Sequence, residues 1–146
     1  MPPRLSRARA GLFRAALAKR DNPFQHPFEA DDSADGFIGR NGVRFVETYD
    51  QTKPFYLNLS FIGPHPPLWH PGESSHDPDD MAAPLSAPDE PATRLKRAHY
   101  LDKCALIDRY IGELVAVLKQ RGLFENTVFI FTSDHGDNLG DYGIWD

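Results

Sequence analysis

The sequence predicts an α/β fold, a mostly parallel sheet flanked by helices, and three observations predict it. Residues 54–61 and 127–132 are short apolar runs, rich in aromatic or β-branched side chains, that read as strands. Each runs into a turn that presents a histidine, His65 in one case and His135 in the other. Between them, residues 93–120 repeat apolar side chains every three or four positions, the period of an amphipathic helix. Strand, loop, long helix, strand is a crossover unit whose strands run parallel, so both carboxyl ends share one sheet edge. Open α/β sheets bind their ligands at that edge.

A chain of 146 residues with 40% hydrophobic content can fill the core of one domain. Its formal charge of -5 argues against nucleic acid as a partner. No apolar run reaches the ~20 residues of a membrane span, so no membrane partner is expected. The single Cys104 excludes an intrachain disulfide framework and a cysteine-based zinc site.

Residues 1–30 form a basic N-terminal segment. Arg4, Arg7, Arg9, Arg14, Lys19 and Arg20 all precede the first acid, Asp21. This composition fits a transit peptide, or more simply a solvated helix or frayed end. Arg14 interrupts the apolar stretch that a secretory signal would need. Leu12, Phe13, Ala16 and Leu17 could line a short helix over residues 11–20, ended by Asp21-Asn22-Pro23, with residues 24–30 extended. Asp31-Asp32-Ser33 supplies N-cap chemistry for a second helix, although Gly36, Gly39 and Gly42 count against a regular one.

Along residues 54–61, Phe55, Leu57, Leu59 and Phe61 alternate with Tyr56, Asn58 and Ser60, as in a half-buried strand. Pro64 and Pro66 then restrict the backbone on both sides of His65. Prolines crowd residues 64–92, which read as a long loop. The following helix carries Leu95, Ala98, Leu101, Cys104, Ile107, Ile111, Leu114, Val115 and Leu118 as its apolar stripe, with Arg94, Lys96, Arg97 and Lys103 largely elsewhere. Gly122 is placed to cap its end. Residues 126–132 should then be a buried strand.

That last run stops at Ser133-Asp134-His135-Gly136-Asp137. A carboxylate beside a neutral imidazole suits zinc, manganese or iron, whereas calcium prefers an all-oxygen shell. Gly136 permits the turn that would let Asp134 and His135 face one ion. The plain alternative is a solvated loop. An EF-hand does not fit, because the third position from Asp134 is Gly136. A serine triad does not fit either, since adjacent residues cannot make the linear relay. His65, at the same predicted edge, could hydrogen-bond an anionic substrate or protonate a leaving oxygen. Strand spacing puts it laterally within roughly 5–10 Å of Asp134 before loop reach is added. Cys104 lies on the apolar stripe and reads as packing. The acidic tail of Asp137, Asp141 and Asp146 reads as a solvated turn.

Lys53-Pro-Phe-Tyr-Leu-Asn-Leu-Ser-Phe61 followed by Gly63-Pro-His-Pro66, then Tyr100 with Ile107-Asp108-Arg-Tyr-Ile-Gly112, then Phe131-Thr-Ser-Asp-His-Gly136 with Leu139-Gly-Asp-Tyr-Gly143, resemble the sulfatase family in order and spacing. That family lies within the alkaline-phosphatase-like superfamily. The resemblance runs from about Asp35 to the end. It implies an alkaline-phosphatase-like sheet and hydrolysis of a sulfuric, phosphonate or phosphate ester by a metal-activated nucleophile. It also implies that Asp134 and His135 are ligands of a divalent metal (calcium, or manganese or zinc), and that His65 contacts the ester oxygens. The family's Cys/Ser-x-Pro-x-Arg nucleophile motif does not occur here, Asp31-Asp32 do not follow an apolar strand, and no lysine follows Arg121. The expectation is therefore residues 31–146 as part of a sulfatase-like catalytic domain, inactive alone, with the missing portions supplied by a longer chain. A truncated non-catalytic chain and a small metal-binding module are the alternatives.

Overall fold

Ser33 starts the first helix as its sequence suggests. The side chain accepts the Gly36 N–H at 2.9 Å, and helix α1 runs over Ala34–Thr48. The computed structural model describes residues 29–68 and 74–145, so the predicted helix over 11–20 and most of the extended 24–30 segment lie outside the described residues. The three glycines of α1 are points of close approach. A Cβ at Gly36 would meet the backbone of Ala30, one at Gly39 the Tyr110 ring, and one at Gly42 the Leu59 side chain, all within 2.5 Å.

Helix α2 covers Pro91–Gln120, with Pro91 in its first turn, where its missing N–H costs nothing. It ends in a Schellman motif. Gly122, at φ 67°, donates to Lys119 O at 3.0 Å, and Leu123 donates to Leu118 O at 2.9 Å. Its buried face centres on one i, i+4 ridge, Ala98, Asp102, Leu106, Tyr110, Leu114 and Leu118, with His99 and Ile107 buried beside it and Thr93 in the first turn. Of the expected stripe, Ala98, Ile107, Leu114 and Leu118 are buried, whereas Leu101 is exposed and Cys104 only half-buried, so the buried face is turned partly away from it. Val46 of α1 packs with Leu114 and Leu118, and Phe55, Leu57, Leu59 and Leu123 close over them. Arg121 donates to the Val46 and Glu47 carbonyls, placing a cation at the negative end of α1.

The expected strands need correction. Among the described residues there is no paired strand. Residues 54–61 do show the predicted alternation, with Phe55, Leu57, Leu59 and Phe61 half-buried and Tyr56, Asn58 and Ser60 exposed. The run after Asn126 was expected to be buried, yet Val128 is 87% and Ile130 80% exposed. An apolar run of strand composition stays open when no neighbouring strand covers its faces, and none does among the described residues.

The proline-rich loop, which ends at Glu90, is tied to α2 by polar side chains. Arg94 pairs with Asp89 at 2.6 Å and donates to Met81 O at 2.8 Å; Arg97 donates to Ala82 O at 2.8 Å and Leu139 O at 2.9 Å. Arg97 also pairs with Asp141, whose carboxylate accepts the Leu85 N–H at 2.9 Å. Asp141 is thus a structural tie and not part of a solvated turn. Asp102, 1% exposed, accepts from Ser74 Oγ at 2.6 Å, Ser75 N at 3.0 Å and Ser75 Oγ at 2.8 Å, and pairs with His76 Nδ1 at 2.7 Å.

Candidate active-site turns

Two turns carry the candidate residues, and both meet α2 over its Tyr100 to Cys104 stretch. The first holds His65. Its backbone N–H donates to Ile62 O at 3.3 Å, and its exposed ring donates from Nδ1 to Pro66 O at 2.7 Å. Buried Asp35, in the first turn of α1, accepts the Ile62 N–H at 2.7 Å and the Gly63 N–H at 3.1 Å. The half-buried Lys103 of α2 donates to the carbonyls of His65 and, at 3.4 Å, of Pro67. One helical turn earlier, buried His99 donates from Nδ1 to Leu68 O at 3.3 Å. Burial pushes the Lys103 ammonium down to about 8, against the upward pull of Asp35, Cys104 and Asp137.

The second turn holds Asp134 and His135, both exposed. Asp134 Oδ1 accepts the His135 N–H at 2.9 Å, and His135 Nδ1 donates to Gly136 O at 2.8 Å. The free ring nitrogen, His135 Nε2, stands 3.9 Å from Asp134 Oδ2. The His135 N–H, then the His135 ring, and least the His65 ring, hold the Asp134 carboxyl below its ordinary value. The Gly136 carbonyl and the Asp134 charge raise His135. Asp137 is half-buried, and its charge reaches Tyr100, Lys103 and Cys104. Burial pushes the Cys104 thiol up, as befits a packing residue.

The donor set fits a divalent cation. An oxygen and a nitrogen 3.9 Å apart can be bridged by an ion with bonds of roughly 2.0–2.5 Å. Metal-ligating histidines usually fix their second ring nitrogen on a carbonyl, as Gly136 O does here. This turn offers two donor side chains; among the described residues no three His, Cys, Asp or Glu side chains group as a metal would need.

Sequence reading missed Asp35, His99, Asp102 and Lys103. The signal was present in the helical register. His99, Lys103 and Ile107 share one i, i+4 row, and Asp102 lies in the otherwise apolar row beside it. Polar residues in buried rows imply partners.

Residues 10–145 match the family model described as Sulfatase. An arylsulfatase of Clostridium perfringens is 28% identical over 129 residues, which is 73% of this chain and 27% of that protein. The multifunctional alkaline phosphatase superfamily protein PehA of Trinickia caryophylli is 31% identical over 161 residues, covering 85% of this chain and 31% of its own length. The chain thus spans less than a third of the curated relatives it matches. Among solved structures, the phosphonate monoester hydrolase of Silicibacter pomeroyi superposes with a TM-score of 0.75 at 20% identity, over 97% of this chain and 38% of its own. That likeness carries the alkaline-phosphatase-like fold. With a family match over nearly its whole length, the chain belongs to the sulfatase family.

Proposed function

We propose that the chain is the part of a metal-dependent ester hydrolase that supplies Asp134 and His135 to a divalent metal and His65 to the ester. The observation that carries this reading is the convergence of Asp134 Oδ2 and His135 Nε2, with the second ring nitrogen fixed on Gly136 O. Both turns reach the same stretch of α2, the His65 turn through Lys103 and the other through Asp137 at Tyr100, which supports one shared site. A bound divalent metal would supply Lewis acidity toward a sulfuryl or phosphoryl oxygen. His65 has a defined part. Its Nδ1–H is committed to Pro66 O, so Nε2 donates to an ester oxygen only when the ring is an imidazolium. A charge-assisted donor there favours a sulfuric, phosphonate or phosphate ester and can pass its proton to the leaving oxygen.

The nucleophile and the remaining ligands come, in this reading, from the rest of the family domain. The exposed faces of Val128, Ile130 and Phe131 support that assignment, because neighbouring parallel strands would bury them. Manganese titration of the isotopically labelled chain tests the metal role. Paramagnetic broadening should centre on residues 134–136, reach His65, and vanish in Asp134→Ala. Broadening unchanged by that substitution would overturn it. The chain alone should not turn over aryl sulfates or phosphonate monoesters, because covalent catalysis without its nucleophile loses nearly all its rate.

A further inference from the structure

Three polar side chains on two helices converge on the backbone that carries His65, and the proposed chemistry uses none of them. Asp35 takes the N–H groups of Ile62 and Gly63, just before the turn. Lys103 takes the carbonyls of His65 itself and of Pro67, and His99 takes that of Leu68, just after it. Gly63 is the pivot. A Cβ there would lie 2.8 Å from Asp35 Oδ2, 3.1 Å from Ile107 Cδ1 and 3.5 Å from Lys103 Cε, so the backbone is seated between both helices. Lys103 also feels the charge of Asp137 in the other turn.

We propose that Asp35 and Lys103 are positioning residues: together they clamp the His65 turn from both sides and hold it in register with the Asp134 turn. The proposal rests on the reading of His65 as the ester-contacting group, but its physical content stands apart. An exposed turn held only by its own 3.3 Å hydrogen bond samples many conformations. Hydrogen bonds to charged partners on both flanks remove that freedom before substrate arrives, which is the condition for precise placement of a reacting group. Asp35 is a rigid acceptor because it is buried in the first turn of α1. Lys103 is a long, half-buried side chain whose head spans two carbonyls.

The test uses the whole chain, labelled with nitrogen-15, near pH 6.5, where Lys103 is charged. Asp35→Asn should speed amide exchange at Ile62 and Gly63 by about tenfold or more. Lys103→Met should shift or broaden the imidazole signals of His65 while the methyl signals of Val46, Leu114 and Leu118 keep their positions. Lys103→Arg, which keeps the charge and the donors, should restore the His65 signals; a purely space-filling role would favour methionine over arginine. In the unsubstituted chain, nuclear Overhauser contacts should join the Lys103 side chain to Gly63. Absence of those contacts, or His65 signals indifferent to Lys103→Met, would overturn the proposal even if another variant fails to fold. Added methylphosphonate separates it from the functional reading. His65 signals that respond to Lys103→Met but not to methylphosphonate support the clamp and count against the ester contact.

Discussion

Gly39 is where α1 meets α2, and Gly39→Ala measures how tightly the two helices fix Asp35. The added Cβ would sit 2.2 Å from Tyr110 Cγ, more than an ångström inside the 3.4 Å at which ordinary contact begins. Tyr110 cannot swing away. It is buried, and its hydroxyl bonds Asp31, which Arg109 also holds at 3.0 Å. Tyr110 Cβ would be only 2.7 Å away, so the helix backbone itself must retreat. Two effects oppose each other. Alanine gains about 0.8–1.0 kcal/mol of helix propensity over glycine. Overpacking costs about 1–3 kcal/mol, toward the upper end where neither side chain nor backbone can relax. The net expectation is a loss of about 1–2 kcal/mol. Gly112→Ala is the control, because its Cβ would meet nothing within 4 Å, so only the propensity gain of about 0.5–1 kcal/mol should appear. Urea unfolding followed by far-ultraviolet circular dichroism reads both. The midpoints should move in opposite directions. A Gly39→Ala midpoint equal to or above that of the unsubstituted chain would refute the packing argument, and with it the claim that α1 holds Asp35 rigidly.

Two further outcomes follow from buried charge. Asp102→Ala removes the acceptor of the Ser74, Ser75 and His76 hydrogen bonds, leaves the donors of exposed Ser74 and Ser75 and half-buried His76 to water, and should cost about 1–2 kcal/mol, with faster amide exchange at Ser75; an unchanged melting curve would contradict the anchoring role. Burial raises the Asp102 carboxyl, but the hydrogen bonds from Ser74, His76 and Ser75 outweigh it and leave it below 3.8, so this stabilisation is lost as pH falls below that value. Lys103 has the same sign in a higher pH window. Its ammonium titrates at about 8 in the fold and at 10.5 when free, so the unfolded chain binds more protons between those values and stability should rise with pH across that window. The gain is at most about 3 kcal/mol and is read as the difference from Lys103→Met, in which Tyr100 and Tyr110 still titrate and cancel. A difference that stays flat from pH 7 to 10.5 would refute it.

Local signals were legible in the sequence. The Ser33 cap, the Gly122 cap, the length of α2 and the alternation of residues 54–61 are each encoded within a few neighbouring residues. Near neighbours along the chain set helix capping and periodicity, so no distant contact is needed to read them. The tertiary structure decided which row of α2 is buried, because the three- and four-residue rows of a helix differ by a small rotation and only a partner surface chooses between them. It made the glycines of α1 into contacts with Ala30, Tyr110 and Leu59, where composition alone counted them as helix-weakening. Among the described residues it left 127–132 without a paired strand, since a strand is completed by a neighbour's hydrogen bonds and not by its own side chains. And it brought Asp35 and Lys103, 68 positions apart in the chain, to the two sides of His65, because the meaning of a buried charge depends on which backbone groups the fold carries to it.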